Sequence, residues 1–301
     1  MSSMRGILLM ISAISLFVVM GSLVKAAVRI PSGETVFFRA FCSMPVICLW
    51  LAVRGELNSG LRVTSWRSHA LRGLAGSVAM GLGFFGLKLI PLPEATAIRF
   101  VTPILLVIFA AFFLGEKIRL IRLSAVLVGL VGVMIVMWPR LSLDMNDLAL
   151  VGALVTLGSA MLAALAQVFL KSMAGTERTT AIVFWFSLTA SCLALLTVPF
   201  GWVMPEGVEW VYLIGAGLVG GIGQILLTSS YKYADASTLA PFTYVSMIWA
   251  LIIGYFVFGE VPTVPMLAGA ALVISAGVAI VLRERQLGLK RAAEARVHGQ
   301  G

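Results

Sequence analysis

The chain has 301 residues, 60% of them apolar and only 12% charged, with a net charge of +9. A water-soluble domain carries about 25% charged residues, so a soluble globular protein is excluded and the solvent is read as lipid. Apolar stretches take up most of the length, which leaves no room for a folded extramembrane domain.

A hydrocarbon core of about 30 Å needs roughly 20 apolar residues per helix. On that rule the sequence predicts ten spans, at 6–26, 35–53, 71–89, 95–114, 120–137, 148–169, 180–200, 208–230, 237–258 and 264–282. Their apolar runs are continuous, whereas barrel strands alternate over about ten residues. The expected fold class is therefore an all-α integral membrane protein with ten transmembrane helices.

Span 1 follows Arg5 and ends near Ala26-Ala27, as a secretory signal would, but its length and its match to span 6 argue for a retained helix. Span 2 opens with Phe37-Phe38-Arg39 and carries Cys42 and Cys48, while Cys192 falls in span 7. These cysteines read as small apolar packing groups, with no disulfide framework or metal site. Span 3 holds Gly73, Gly76, Gly81, Gly83 and Gly86 with Phe84 and Phe85; span 8 holds Gly215, Gly217, Gly220, Gly221 and Gly223 with Gln224. Small residues allow close helix approach. Span 4 contains Arg99 and Pro103, span 6 Gln167, and span 9 Pro241, Phe242, Tyr244 and Trp249.

Landmarks recur at a nearly constant offset. Gly115-Glu116 matches Gly259-Glu260, Lys88 matches Lys232, Gly73 and Gly76 match Gly217 and Gly220, Gly6 matches Gly152, and Lys25 matches Lys171. The chain reads as two five-span repeats, 1–140 and 146–283, followed by a basic tail, 284–301. A unit with an odd number of spans crosses the bilayer in the opposite sense when copied, which gives the inverted repeats of secondary transporters. The copies differ in chemistry, with Arg39 corresponding to Trp185, Arg99 to Thr243, Phe100 to Tyr244 and Met80 to Gln224.

Sixteen basic residues fall in segments facing one side, against Lys25, Arg29, Lys88 and Arg140 on the other. The positive-inside rule then puts both termini in the cytoplasm. The tail reads as a topological anchor on an anionic leaflet, not as a nucleic-acid-binding segment.

Two five-span halves, Phe37-Phe38-Arg39 early in span 2, Pro103 amid span 4, and Gly-Glu closing spans 4 and 9 together resemble the EamA family of the drug/metabolite transporter superfamily, over residues 6–282. The resemblance implies a bacterial-type inner-membrane carrier of amino acids, related metabolites, vitamins or toxic cations. It also implies a central cavity between spans 1, 3, 4, 6, 8 and 9.

An ionised side chain inside a span is costly and needs compensation. Arg39 and Arg99 are thus candidate carboxylate ligands, since a guanidinium donates two parallel hydrogen bonds; a purely structural arginine is the alternative. Glu34 and Glu94 lie five positions earlier, about 140° around the helix, so pairing across helices, as of Arg39 with Glu94, is the better geometry. Gln167 and Gln224 offer a donor and an acceptor to substrate or to another helix. Phe84, Phe242, Tyr244 and Trp249 could stack on a flat substrate. Pro103 and Pro241 are candidate kink or gate residues. Lys25, Lys88, Lys171 and Lys232 suit snorkelling to the interface, and Glu116 and Glu260 suit structural locking.

No Asp or Glu lies near a span centre, which disfavours cation efflux. His69 and His298 are the only histidines, and no hydrolase, metalloprotease or nucleotide-loop motif occurs. The chain is therefore expected not to be an enzyme and to need no cofactor or metal. The expected function is secondary transport of small organic metabolites, with export of zwitterionic or aromatic amino acids by alternating access leading. The alternatives are import of a larger metabolite, such as a vitamin or an S-adenosylmethionine-like cofactor, or a non-transport membrane protein. Its partners would be a small-molecule substrate and the bilayer, with monomer and homodimer both open.

Overall fold

The computed structural model describes residues 2–53, 55–115 and 147–259, with 124, 127–128, 130–132, 134–135, 261, 264, 267–269, 271–272 and 275. Most of the predicted spans 120–137 and 264–282, the tail, Glu116 and Glu260 lie outside the described residues, as do the side chains of Glu94 and Pro241.

The elements are α1 (Ser2–Ala26), α2 (Ser32–Phe41), α3 (Met44–Val53), α4 (Leu57–Gly60), α5 (Trp66–Leu89), α6 (Leu92–Arg99), α7 (Val101–Leu114), α8 (Asp147–Met173), α9 (Thr179–Leu195), α10 (Val208–Tyr233), α11 (Ala236–Leu239), a 3-10 turn (Ala240–Tyr244) and α12 (Val245–Phe258). No strand occurs among the described residues. Among the described residues five segments are long and apolar enough to cross a membrane: Ser3–Ala26, Ser32–Val53, Trp66–Leu89, Leu148–Met173 and Val208–Tyr233. Large apolar side chains such as Val53, Phe112 and Phe256 point outward, as lipid-facing surfaces require.

Prolines account for two of the breaks. A proline cannot donate to the carbonyl four residues earlier. Pro103 leaves the carbonyl of Arg99 without its donor, and α6 ends at Arg99. Pro45 does the same to Phe41, where α2 ends. Span 9 is interrupted too, by a 3-10 turn that has Pro241 at its start.

The two series of elements keep step. Helices α7 and α12 both have 14 residues, and each ends on a glycine with φ of 65°. That left-handed conformation favours glycine over any residue with a Cβ, which is the physical content of the repeated Gly-Glu.

The longest contacts join a helix of each series. Helix α1 runs antiparallel to α10, and α8 antiparallel to α5. A Cβ built on Gly6 would stand 3.1 Å from the Cβ of Ala234, and one on Gly223 3.0 Å from the Phe17 ring. On the other pair, a Cβ on Gly152 would stand 2.8 Å from the Cβ of Leu89, and one on Gly83 2.8 Å from the Ser159 hydroxyl. The turn after α2 meets α9 through a 2.8 Å hydrogen bond between Ser43 and Ser187.

Acids and lysines fasten the ends. Glu34 Oε2 accepts the Val203 N–H at 3.0 Å ahead of α10. Glu177 Oε1 accepts those of Thr64 and Ser65 at 2.8 Å each, ahead of α5. Lys171 donates to the carbonyls of Tyr231 and Ala234, at 3.1 and 3.0 Å, and Lys88 to that of Ala27 at 3.4 Å. Lys171 takes up carbonyls at the end of α10, and Lys88 shares the Ala27 carbonyl, just past α1, with the Ile30 N–H, a more specific role than snorkelling.

Candidate substrate cavity

Two overlapping chambers of about 890 and 970 Å³, open mouths included, occupy the interior. Spans 1, 3, 4, 6 and 9 line both, and span 8 lines the second. Spans 2 and 7 add Arg39 and Phe186, which the resemblance did not anticipate.

Arg99, at the end of α6 where Pro103 breaks the span, lines both chambers and is exposed to them. Among the described residues it has no hydrogen-bond partner. Arg39 is different, with 2% of its surface exposed and only two long bonds, 3.5 Å each, from Nη2 to the Gly220 carbonyl and to Gln224 Oε1. Its Nε and Nη1 are buried without partners, as are Nε and Nη1 of Arg72 and Nε2 of Gln224.

Arg72 is one of the sixteen basic residues that the sequence places on the cytoplasmic side, yet it is 5% exposed and lines the second chamber. Its guanidinium lies 4.1 Å from the centre of the Phe186 ring, and that of Arg39 lies 5.5 Å from the same centre. Matched glycines make the room. A Cβ on Gly76 would collide with Arg72 Nη1, and one on Gly220 would stand 3.1 Å from Arg39 Nε. The one signal available beforehand was that Arg72 precedes Gly76 by one helical turn, on the same helix face. The same packing corrects the register of the second span. Gly73 abuts Thr189 as Gly217 abuts Cys42, so Phe186, not Trp185, is the counterpart of Arg39. Trp185 instead donates to the Leu61 carbonyl at 3.0 Å.

Phe84, Gln167, Gln224 and Pro103 also reach the chambers, Pro103 in the first only. Gln167 accepts a 2.7 Å bond from the Tyr231 hydroxyl, so it braces α8 on α10 as well as lining the cavity. Three expected residues lie elsewhere. Phe242 packs in an apolar cluster with Met10, Leu106 and Leu239. Tyr244 stands edge-on to Phe100, which itself lines the first chamber. Trp249 donates to Ser15 Oγ at 2.8 Å and faces outward.

The described lining of both chambers thus presents three guanidiniums, two amides and aromatic rings, and it contains no carboxylate. The sequence matches the model of the EamA-like transporter family twice, over residues 4–138 and 150–283. The chain belongs to the EamA-like transporter family. It is 30% identical to the pseudopaline exporter CntI of Pseudomonas aeruginosa over 91% of this chain and 95% of that one. It is 28% identical to an S-adenosylmethionine uptake transporter of Rickettsia felis, over 86% and 85% of the two chains, and 26% identical to a riboflavin transporter of Vibrio cholerae, over 90% and 91%. One crystal structure shares the fold at a TM-score of 0.77, covering 94% of this chain and 98% of its own with 24% identity. This EamA-like protein is a multi-pass membrane transporter, not an enzyme.

Proposed function

We propose that this transporter exports small carboxylate-bearing metabolites, amino acids foremost, across a bacterial inner membrane by alternating access. The observation that carries the reading is the gathering of Arg39, Arg72 and Arg99 around chambers whose described lining holds no acidic side chain. A guanidinium stays charged, so an anionic group on the substrate supplies the compensation the protein withholds. Phe84, Phe186 and Phe100 give the remainder of the substrate an apolar wall, and Gln167 and Gln224 give it hydrogen bonds.

The antiparallel pairs α1 with α10 and α5 with α8 support two inverted repeats, and the bias of basic residues to one side supports cytoplasmic termini. Rocking of one repeat on the other would expose the chambers to each side in turn. Export is supported by the relative named as an exporter.

A second reading, import of a vitamin-sized molecule, is favoured by the relatives named for uptake or for riboflavin. A sulfonium cation such as S-adenosylmethionine suits three guanidiniums poorly.

Uptake of radiolabelled amino acids, organic acids and vitamins into proteoliposomes, with and without a pH gradient, tests the proposal. Saturable uptake should be competed by acids and not by their esters, and Arg99→Ala should raise the KM at least about tenfold, the scale of one charged hydrogen bond. Equal competition by esters would overturn it.

A further inference from the structure

Arg39 and Arg72 come from different helices of the first repeat, yet both guanidiniums lie against one phenylalanine of the second, Phe186. Two buried like charges side by side repel, and each has left water to get there. The ring face offers partial compensation to both. Among the described residues no carboxylate forms an ion pair with either, and each keeps two nitrogens buried without a hydrogen bond. The arrangement is built into the repeat, because Gly76 and Gly220 occupy matched positions and each opens the recess that one of these arginines fills.

Arg99 stands apart from this pair. It lines both chambers and is exposed, whereas Arg39 and Arg72 line only the second and are buried. The cavity therefore has one accessible cation near its broken span and a desolvated pair deeper in. A single carboxylate would leave one of these stations uncompensated.

We propose that Arg39 and Arg72 form a second acid-binding station, so that the carried metabolite has two acidic groups, one received by this pair and the other by Arg99. This rests on the transport reading and narrows its substrate class to diacids, acidic amino acids included.

The test uses the full chain purified in detergent. Binding of aspartate, glutamate and straight-chain dicarboxylates of increasing length, each against its own mono-amide, is read from ligand-induced thermal shifts. At an optimal chain length the diacid should bind at least about tenfold tighter than its mono-amide, the scale of one further charged hydrogen bond. In Arg72→Gln that ratio should fall towards one, and in Arg72→Lys, which keeps charge but loses the planar fork, it should fall part of the way. The wild-type ratio needs no variant to fold, and a ratio near one across the whole series overturns the proposal. So does an equal loss of both affinities in Arg72→Gln, which marks a structural arginine. Excess chloride that stabilises the protein and leaves diacid binding unchanged would reveal a fixed inorganic anion site and overturn it too. Uptake assays on the same preparation separate the two readings. Diacid binding without transport refutes the transport reading alone, while transport of monoacids with no diacid advantage refutes the second station alone.

Discussion

Phe100 and Tyr244, equivalent positions of the two repeats, meet edge to face with ring centroids 5.0 Å apart. Phe100 stands in the break between α6 and α7, and Tyr244 closes the 3-10 turn before α12. The two interrupted spans thus lean on each other where their backbone ladders are weakest, and Arg99 sits one residue from that contact.

Pro103→Ala should close one interruption. The new N–H can bond the Arg99 carbonyl, and because Pro103 stands in the first turn of α7, the gain is less than the ~3 kcal/mol of an interior proline. The thermal midpoint in detergent should hold or rise while uptake falls, because a continuous helix re-aims Arg99. Unchanged uptake would detach the break from transport.

Gly152→Ala should destabilise. Its Cβ would meet the Leu89 Cβ at 2.8 Å and the Ile90 Cγ2 at 2.9 Å, atoms too close to their backbone to swing away. Overpacking of this kind costs about 1–3 kcal/mol. Gly81 has nothing within 4 Å, so Gly81→Ala should be neutral or gain up to about 1 kcal/mol of helix propensity. Midpoints in the opposite order would contradict the close α5–α8 contact.

Glu177 holds the entry to α5. Its Oε1 accepts two backbone N–H groups, and its Oε2 lies 3.6 Å from His69 Nε2, with both side chains buried. Glu177→Ala strands those donors at about 1–3 kcal/mol for each group left unsatisfied. Glu177→Gln retains an acceptor and should fall between the alanine variant and the wild type in a melting series. Identical melting of all three would remove this capping role.

Arg29 should respond to salt and not to neutral pH. It bonds Glu209 at 3.1 and 2.9 Å and Glu206 at 3.4 Å on the surface. The Glu209 hydrogen bond, foremost, holds its guanidinium above the ordinary arginine range. A cation whose folded pKa is raised contributes fully below its unfolded pKa and loses that contribution only as pH climbs through the folded value. The midpoint difference between wild type and Arg29→Gln should therefore stay flat from about pH 6 to 9. It should shrink near 1 M salt, where screening acts over about 3 Å. A difference that grows with salt would exclude an electrostatic origin.

Much of the scaffold was legible because local chemistry dictates it. Gly115 and Gly259 had to recur where a helix ends in a left-handed cap, and Arg99 was conspicuous in an apolar run. Pro45 carried the same message about span 2 as Pro103 did about span 4, and went unread. Arg72 was beyond reach for another reason. It lies close to Trp66, Arg67 and His69 at the start of α5 and so reads as a head-group charge, while the groups that bury it come from another helix and from a recess. A constant offset pairs Arg39 with Trp185, but loops of unequal length shift the repeat by one residue to Phe186, which turns a helix by about 100°. Phe242 and Tyr244 were assigned to a regular helix, but they sit in a 3-10 turn, whose tighter winding points them elsewhere.

Helix α1 finds its main partner in α10, and α8 finds its own in α5. Each repeat thus leaves its opening helix for the other to cover. During synthesis the first half enters lipid as an unfinished surface, with α1 waiting for a companion that the ribosome has yet to make. Closure of the fold is thereby deferred until the last third of the chain has been delivered.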